Sequence, residues 1–264
     1  MKVSHTMTYK GIVFFDLDGT LLNAASQVSP ENRKALDQLK ANGYLPVIAT
    51  GRSVEELDNV LEESGIQSVA MLNGMVVEVD GTIISTQTID KKDIQKTLEL
   101  ARSLGESIAF YTPEELVLAD LSDGLKKHFD YFHGPLPRID DSYYLTQDVN
   151  MILVGGSNKE NDHLYQEAVP NLRFLRNSPF SIDVVKKGFH KGTGVQIIKD
   201  YLGLKDIPTY GFGDGGNDLD LLKAVDHPVA MENAIPELKA LAEFITHKNT
   251  EDGIIFGLKH YGLI

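Results

Sequence analysis

Short apolar runs alternate with helical patterns in the first third and the last third of this chain. In the first third, runs of four or five mostly apolar residues are separated by helical segments that begin near Ser29-Pro30 and Ser53. The runs are Ile12–Phe15, Leu45–Ala49 and Ser68–Leu72. Runs this short are typical of buried parallel strands, and a strand–helix–strand order winds into a parallel sheet. The same rhythm returns from Thr193 to Thr246. The sequence therefore predicts an α/β fold with a doubly wound, Rossmann-like parallel sheet as its core.

The middle of the chain does not keep this rhythm. Met75–Val79 and Thr82–Ser85, joined by Asp80-Gly81, predict a hairpin, and irregularly spaced helices and strands follow as far as Ile182. A mixed order of this kind is typical of an α+β unit. We therefore predict a core made of residues 1–84 and 184–264, with residues 85–183 inserted as an α+β cap domain.

The composition limits the partners and the location. Acidic residues outnumber basic ones, 38 to 25, which gives a formal net charge of −13. Such a surface repels nucleic acid and anionic membranes, so neither is an expected partner. The absence of cysteine excludes disulfides, thiolate metal sites and cysteine nucleophiles. No apolar run is long enough for a signal peptide or a membrane span, and the expected location is the cytoplasm.

Two aspartates follow the first predicted strand. They stand in Asp16-Leu17-Asp18-Gly19-Thr20, where Gly19 permits a turn. In open α/β sheets, ligands bind outside the carboxyl ends of the strands, which is where this pair is expected. A turn capped by acids is an equally good interpretation of these residues alone, so the other strand ends decide between the two.

Three further polar segments lie at strand ends or helix starts of the predicted core. The first two, Thr50-Gly51-Arg52 and Lys191-Gly192, supply hydrogen-bond donors and positive charge that suit an anionic ligand. The third, Gly213-Asp214-Gly215-Gly216-Asn217-Asp218, supplies two carboxylates and an amide on a loop with a flexible backbone. The first could instead be a helix cap, and the second an exposed lysine. The third overlaps a G-x-G-x-x-G dinucleotide fingerprint that begins at Gly211. Two features count against a dinucleotide-binding site: Asp214 would direct a negative charge at the pyrophosphate, and the helix that follows is short.

Together these segments predict a phosphoryl-transfer site at one edge of the sheet. The expected acidic cluster consists of Asp16, Asp18, Asp214 and Asp218, and Thr50, Arg52 and Lys191 supply hydrogen-bond donors and positive charge. Hard oxygen ligands favour Mg²⁺, and a cation with a lysine and a hydroxyl is typical of phosphoryl transfer. Asp16 is the candidate nucleophile because carboxylates form aspartyl phosphates, and Asp18 is the candidate general acid and base.

In chain order, the four segments resemble the four motifs of the haloacid dehalogenase superfamily, and the position of the insert resembles the Cof-type phosphatases with a type IIB cap. The resemblance implies that Asp16 is the nucleophile and a magnesium ligand, and that Asp18 is the acid/base, with its backbone carbonyl on the metal. It implies further ligands and contacts: Asp214 and Asp218 for the metal, Thr50, Gly51, Lys191 and Asn217 for the phosphate, and Arg52, Asn73 and Gly74 as candidate substrate contacts.

The expected activity is therefore Mg²⁺-dependent hydrolysis of phosphate monoesters of small metabolites, such as sugar phosphates or phosphorylated cofactors. A phosphomutase with the same site, or a sensor of a phosphorylated ligand with incidental turnover, remain alternatives. Specificity is expected to lie in the cap, where the polar candidates are Tyr111, His128, Arg138, Asn177 and Asp183. Each of these is more often a surface or hydrogen-bonding residue than a ligand.

Overall fold

The computed structural model describes residues 9–53, 56–131 and 134–264, apart from the side chains of Asp58 and Asn177. They fold into two sheets with helices. The larger sheet has eight strands, in the spatial order β13 (Phe244–Ile245), β12 (His227–Ala230), β11 (Thr209–Gly213), β1 (Gly11–Phe15), β2 (Tyr44–Ala49), β3 (Val69–Met71), β4 (Val76–Val79) and β5 (Thr82–Thr86).

Neighbouring strands from β13 to β3 run parallel, and β4 and β5 are antiparallel additions at one edge. The chain winds outward from β1 through β2 and β3, then returns to build β11, β12 and β13 on the other side. The direction of winding therefore reverses between β1 and β11. In doubly wound sheets this reversal opens a crevice at the carboxyl ends of the strands, which is where ligands bind. The predicted doubly wound core is confirmed.

Six helices pack with this sheet in two contacting groups. The first contains α1 (Pro30–Ala41), α2 (Asp58–Ser64) and α10 (Gly253–His260), and the second contains α7 (Thr193–Leu202), α8 (Leu219–Ala224) and α9 (Pro236–Leu241). Helix α1 begins where the sequence predicts it, because Ser29 Oγ accepts a hydrogen bond from the Asn32 amide and proline occupies the first helical position. Between the sheet and the helices, β1 is fully buried, and the Phe15 ring stacks on Phe212 of β11.

The smaller sheet is antiparallel and belongs to the insert. Its order is β7 (Leu116–Leu118), β6 (Ser107–Tyr111), β8 (Met151–Gly155), β10 (Ser181–Lys186) and β9 (Leu172–Ser178). Its helices are α3 (Lys91–Ser103), α4 (Asp123–Tyr131), α5 (Tyr143–Thr146) and α6 (Asp162–Ala168). We call this sheet and its helices the cap, and its α+β character is the predicted one.

The chain passes from the larger sheet to the cap after Thr86 and returns after Lys186. The predicted limits at 84/85 and 183/184 fall within β5 and β10 and stay a prediction. The helix expected from Ser53 corresponds to α2, which begins at Asp58; residues 54 and 55 lie outside the described part. Among the described residues, no helix combines the length and apolar character that a membrane span requires.

Candidate active site

Two aspartates meet at the reversal of winding. Asp16 directly follows β1, and Asp214 directly follows the neighbouring strand β11. One carboxylate oxygen from each of Asp16, Asp214 and Asp218 lies within 4.8 Å of the others. The turn after Asp16 is completed by Gly19, which has φ 77° and leaves no room for a Cβ because Asp214 Oδ2 would lie 2.3 Å from it. The ends of β1 and β11, together with the turn that contains Asp218, thus bring three carboxylates close to one another.

Lys191 lies among these carboxylates. Its Nζ donates to Asp16 Oδ1 at 2.5 Å and to Asp218 Oδ1 at 2.7 Å, and the side chain is only 1% exposed. The other oxygen of Asp218 accepts hydrogen bonds from the backbone amides of Asp214 and Gly215, at 3.0 and 2.9 Å. Lys191 is therefore a buried site residue, and the exposed-lysine interpretation of Lys191-Gly192 does not apply.

Burial and repulsion between the carboxylates shift the pKa values of this cluster. Burial raises the pKa of Asp16 well above its usual range, the Asp218 carboxylate raises it further, and Lys191 opposes both. Burial and the Asp218 carboxylate also raise the pKa of Asp214, to about 6. Burial lowers the pKa of Lys191, but the carboxylates of Asp16 and Asp218 outweigh burial and raise it overall. Three carboxyl groups thus share one ammonium, and the raised pKa values of Asp16 and Asp214 reflect the cost of burying several negative charges together. A hard divalent cation would lower that cost, and the all-oxygen donor set suits one.

Asp18 is not part of this cluster. Its side chain is 56% exposed, and Arg52 donates to both of its carboxylate oxygens, from Nη2 at 2.5 Å and from Nε at 3.1 Å. The third guanidinium nitrogen, Nη1, donates to the Glu56 carbonyl at 3.4 Å. The predicted substrate contact Arg52 thus holds the predicted acid/base in one orientation.

The segment after β2 lies beside the cluster. Thr50 is buried, and its Oγ1 accepts a hydrogen bond from the Arg52 amide at 3.1 Å. At Gly51 an added Cβ would lie 3.1 Å from a carboxylate oxygen of Asp183 in the cap. Asn217 lies in a short turn, Gly216–Asp218, which begins three residues after the end of β11. The structure thus brings the predicted phosphate-binding segments to the same edge of the sheet.

The polar cap candidates fall into different surroundings. Tyr111 and Asp183 are buried, and Asp183 contacts Asn73 of the core. His128 is buried with its Nδ1 2.9 Å from Ser181 Oγ, and burial lowers its pKa to about 4. Arg138 is exposed and pairs with Glu115 and Asp140. The side chain of Asn177 lies outside the described residues.

Two contacts at the site have no counterpart in the predictions. The Asn233 amide donates to the Gly19 carbonyl at 2.8 Å; this residue follows β12, so the strand-end rule could have found it. Arg173 Nη2 of the cap donates to Asp220 Oδ2 of the core at 2.5 Å. No pattern in the sequence indicates that pair.

Comparisons with known proteins agree with this geometry. Residues 13–258 match the family of haloacid dehalogenase-like hydrolases. The chain is 31% identical over 255 residues to the Bacillus subtilis (strain 168) protein named "Putative phosphatase YkrA", across 96% of this chain and 98% of that protein. It is 25% identical over 272 residues to 5-amino-6-(5-phospho-D-ribitylamino)uracil phosphatase YwtE of the same organism, across 92% and 95% of the two chains.

Among solved structures, the HAD subclass IIB sugar phosphatase BT4131 superposes with a TM-score of 0.86 at 26% identity, across 96% of this chain and 100% of that one. Its subclass is the one expected from the position and the α+β character of the insert. The chain therefore belongs to the haloacid dehalogenase-like hydrolase family, as one of its Cof-type phosphatases with a type IIB cap.

Proposed function

We propose that this phosphatase is magnesium-dependent and hydrolyses phosphate monoesters of small metabolites, such as sugar phosphates or phosphorylated cofactors, through an aspartyl phosphate on Asp16. The observation that carries the proposal is the buried set of three carboxylates around the Lys191 ammonium at the reversal of winding. Family membership supports the reaction class. The substrate classes in the names of YwtE and BT4131 support a small phosphorylated substrate.

The metal would be held by the carboxylates of Asp16 and Asp214, with Asp218 beside them and the backbone carbonyl of Asp18 as a further ligand. The donors fit Mg²⁺ because all are oxygens and because a divalent cation would offset the burial and the repulsion that raise the pKa values of Asp16 and Asp214. When bound, Mg²⁺ would neutralise charge on the phosphoryl group during transfer.

The first half of the reaction would transfer the phosphoryl group to Asp16. Thr50, the Gly51 amide, Lys191 and Asn217 would hold the phosphate oxygens in line with the Asp16 carboxylate. A carboxylate oxygen forms a bond to phosphorus while the bond from phosphorus to the ester oxygen breaks. Asp18 gives a proton to the departing oxygen, so the product is a neutral alcohol.

The second half would restore the enzyme. Asp18, now ionised, accepts a proton from a water molecule as the water oxygen bonds to the phosphorus of the aspartyl phosphate. The bond between phosphorus and the Asp16 oxygen breaks, which releases inorganic phosphate and regenerates both carboxyl groups. Arg52 would keep the Asp18 carboxylate oriented through its two hydrogen bonds.

Phosphate release from p-nitrophenyl phosphate and a panel of sugar phosphates, with and without Mg²⁺, tests this function. We expect turnover that needs Mg²⁺ and that Asp16→Asn lowers by roughly 10³-fold or more, because the nucleophile is lost. The matched control is Asp148→Asn, which alters an exposed aspartate of the cap and should leave kcat unchanged. Acid quenching followed by mass spectrometry should find phosphate on the peptide that contains Asp16. Wild-type protein that releases no phosphate from the whole panel would contradict the proposal.

A further inference from the structure

Three consecutive residues between β3 and β4 adopt a left-handed backbone. They are Leu72 with φ 51°, Asn73 with φ 54° and Gly74 with φ 83°. Only glycine takes this conformation without a steric penalty, although asparagine tolerates it better than most residues. A strained run of this kind persists only where surrounding contacts determine it, and such runs concentrate at functional sites. The contacts of this turn are therefore informative.

The backbone of the turn holds the predicted phosphate-binding segment. The Asn73 amide donates to the Thr50 carbonyl at 2.9 Å, and the Leu72 amide donates to the Arg52 carbonyl at 3.2 Å. On its other side the turn lies against the chain just before Lys191, because a Cβ at Gly74 would lie 2.5 Å from the His190 carbonyl oxygen. The turn thus lies between two segments that would bind the phosphate.

The side chain of Asn73 leaves the core and enters the cap. Its Nδ2 donates to Asp183 Oδ2 at 2.9 Å and lies 3.6 Å from Met151 Sδ. These two partners stand on β10 and β8, which are adjacent strands of the cap sheet. Asn73 is 1% exposed, Asp183 3% and Met151 1%. One core amide therefore reaches two cap strands inside a buried interface.

The contact also fixes how closely the cap approaches the Thr50–Gly51 segment. Asp183 Oδ2, the oxygen that accepts from Asn73, would lie only 3.1 Å from a Cβ at Gly51. Removing the amide would leave the Asp183 oxygen without this donor in a buried place, which is more costly than losing an exposed hydrogen bond. Displacement of the cap would break the same contact.

We propose that Asn73 and Asp183 form an interdomain clamp that holds the cap sheet at a fixed distance from the phosphate-binding segment. Asn73 is then a positioning residue, in place of the substrate contact that the family resemblance implies. The strained turn gives the clamp its effect on the reaction, because it fixes the Asn73 side chain and the backbone around Thr50 together. The kinetic consequences rest on the proposed phosphatase function.

Exchanging the two side chains tests the clamp. Asn73→Asp places a carboxylate opposite Asp183 and removes the donor, whereas the double variant N73D/D183N restores one donor and one acceptor in the reverse order. Aspartate tolerates the left-handed backbone, so this substitution adds little strain. Asn73→Gly is the second variant, because it removes the side chain and keeps the backbone freedom. Asp80→Gly is the matched control, since Asp80 is an exposed residue with φ 47° in the β4–β5 turn.

Steady-state kinetics with p-nitrophenyl phosphate at saturating Mg²⁺ give the first readout. We expect N73D to lower kcat/KM about 10- to 100-fold, and N73D/D183N to return to within about threefold of D183N. We expect N73G to lower kcat/KM about tenfold, with a rise in KM, and D80G to match the wild type. The clamp is overturned by a double variant no more active than N73D, or by wild-type kinetics in N73G.

Urea unfolding of the same variants gives a readout that does not need activity. We expect N73D and D183N to be non-additive by at least about threefold in the unfolding constant. If the changes in unfolding free energy of N73D and D183N were strictly additive, the clamp would be overturned, whether or not the wild type has activity. Lack of turnover by the wild type would refute the proposed function but not the clamp. Rescue of stability by the double variant without rescue of kcat/KM would show a purely structural contact and overturn the positioning role.

Discussion

The buried carboxyl of Asp183 should make the stability of this protein depend on pH. Asp183 is 3% exposed, and burial raises its pKa from 3.8 to about 7, with Glu56 adding to the effect and Asn73 and Lys191 opposing it. In the unfolded chain the carboxyl keeps its ordinary pKa. The folded state therefore holds the proton more tightly than the unfolded state does. The stability that this proton contributes is complete below the unfolded pKa and is lost as the pH rises through the folded pKa.

The magnitude follows from the difference between the two pKa values. A difference of about 3 corresponds to about 4 kcal/mol, since each pKa unit is worth about 1.36 kcal/mol. Linkage places roughly 2 to 3 kcal/mol of this total between pH 5 and pH 8. Asp183→Asn removes the titration and keeps an oxygen that can accept from Asn73. The free energy of unfolding of the variant, relative to wild type, should therefore rise by roughly 2 to 3 kcal/mol over that range.

Urea denaturation at half-unit steps from pH 5 to pH 8 measures this difference. The samples should contain EDTA, so that metal binding does not add its own pH dependence. Asp16 and Asp214 also titrate, but they do so in both proteins and cancel in the difference. Asp148→Asn, at an exposed position of the cap, should give a curve parallel to wild type. A difference between D183N and wild type that stays flat, or falls as the pH rises, would refute the reasoning.

Two further substitutions test the site. Lys191→Met should lower the free energy of unfolding in EDTA by about 3 kcal/mol, because it leaves the Asp16 and Asp218 carboxylates buried without their cation. Urea denaturation measures this loss, and added Mg²⁺ should restore part of it. A variant as stable as wild type in EDTA would contradict the role of Lys191 as the cation of this cluster. Arg52→Lys keeps the charge but cannot make two parallel hydrogen bonds to Asp18, so kcat for p-nitrophenyl phosphate should fall about tenfold. An unchanged kcat would show that the pair does not orient the acid/base.

The positions of the residues at the reversal of winding can be predicted from the sequence. Asp16 and Asp214 follow neighbouring parallel strands, and parallel strands present their carboxyl ends at one edge of a sheet. Once the strands are recognised, topology alone brings these side chains together. Lys191 needs one more step, because its place next to Asp16 depends on how the chain re-enters the core after the insert.

Contacts between the cap and the core could not be predicted in this way. Asn73 and Asp183 are 110 residues apart, and Arg173 and Asp220 are 47 apart. Strand periodicity fixes which face of the cap sheet a residue occupies, but it does not fix how that sheet is placed on another domain. Asn73-Gly74 was singled out by resemblance, and the left-handed turn explains why an asparagine and a glycine stand there.

Two interdomain contacts attach the cap to both sides of the candidate site. Asn73 is hydrogen-bonded through its backbone to Thr50, on the β2 side, and its side chain holds Asp183. On the β11 side, Arg173 holds Asp220, which stands two residues after Asp218 in the segment that carries the acidic cluster. A cap joined at one side alone could pivot over the site. Joined at both, it is held across the crevice between β1 and β11, so its position is set by the same two segments that would bind phosphate and metal.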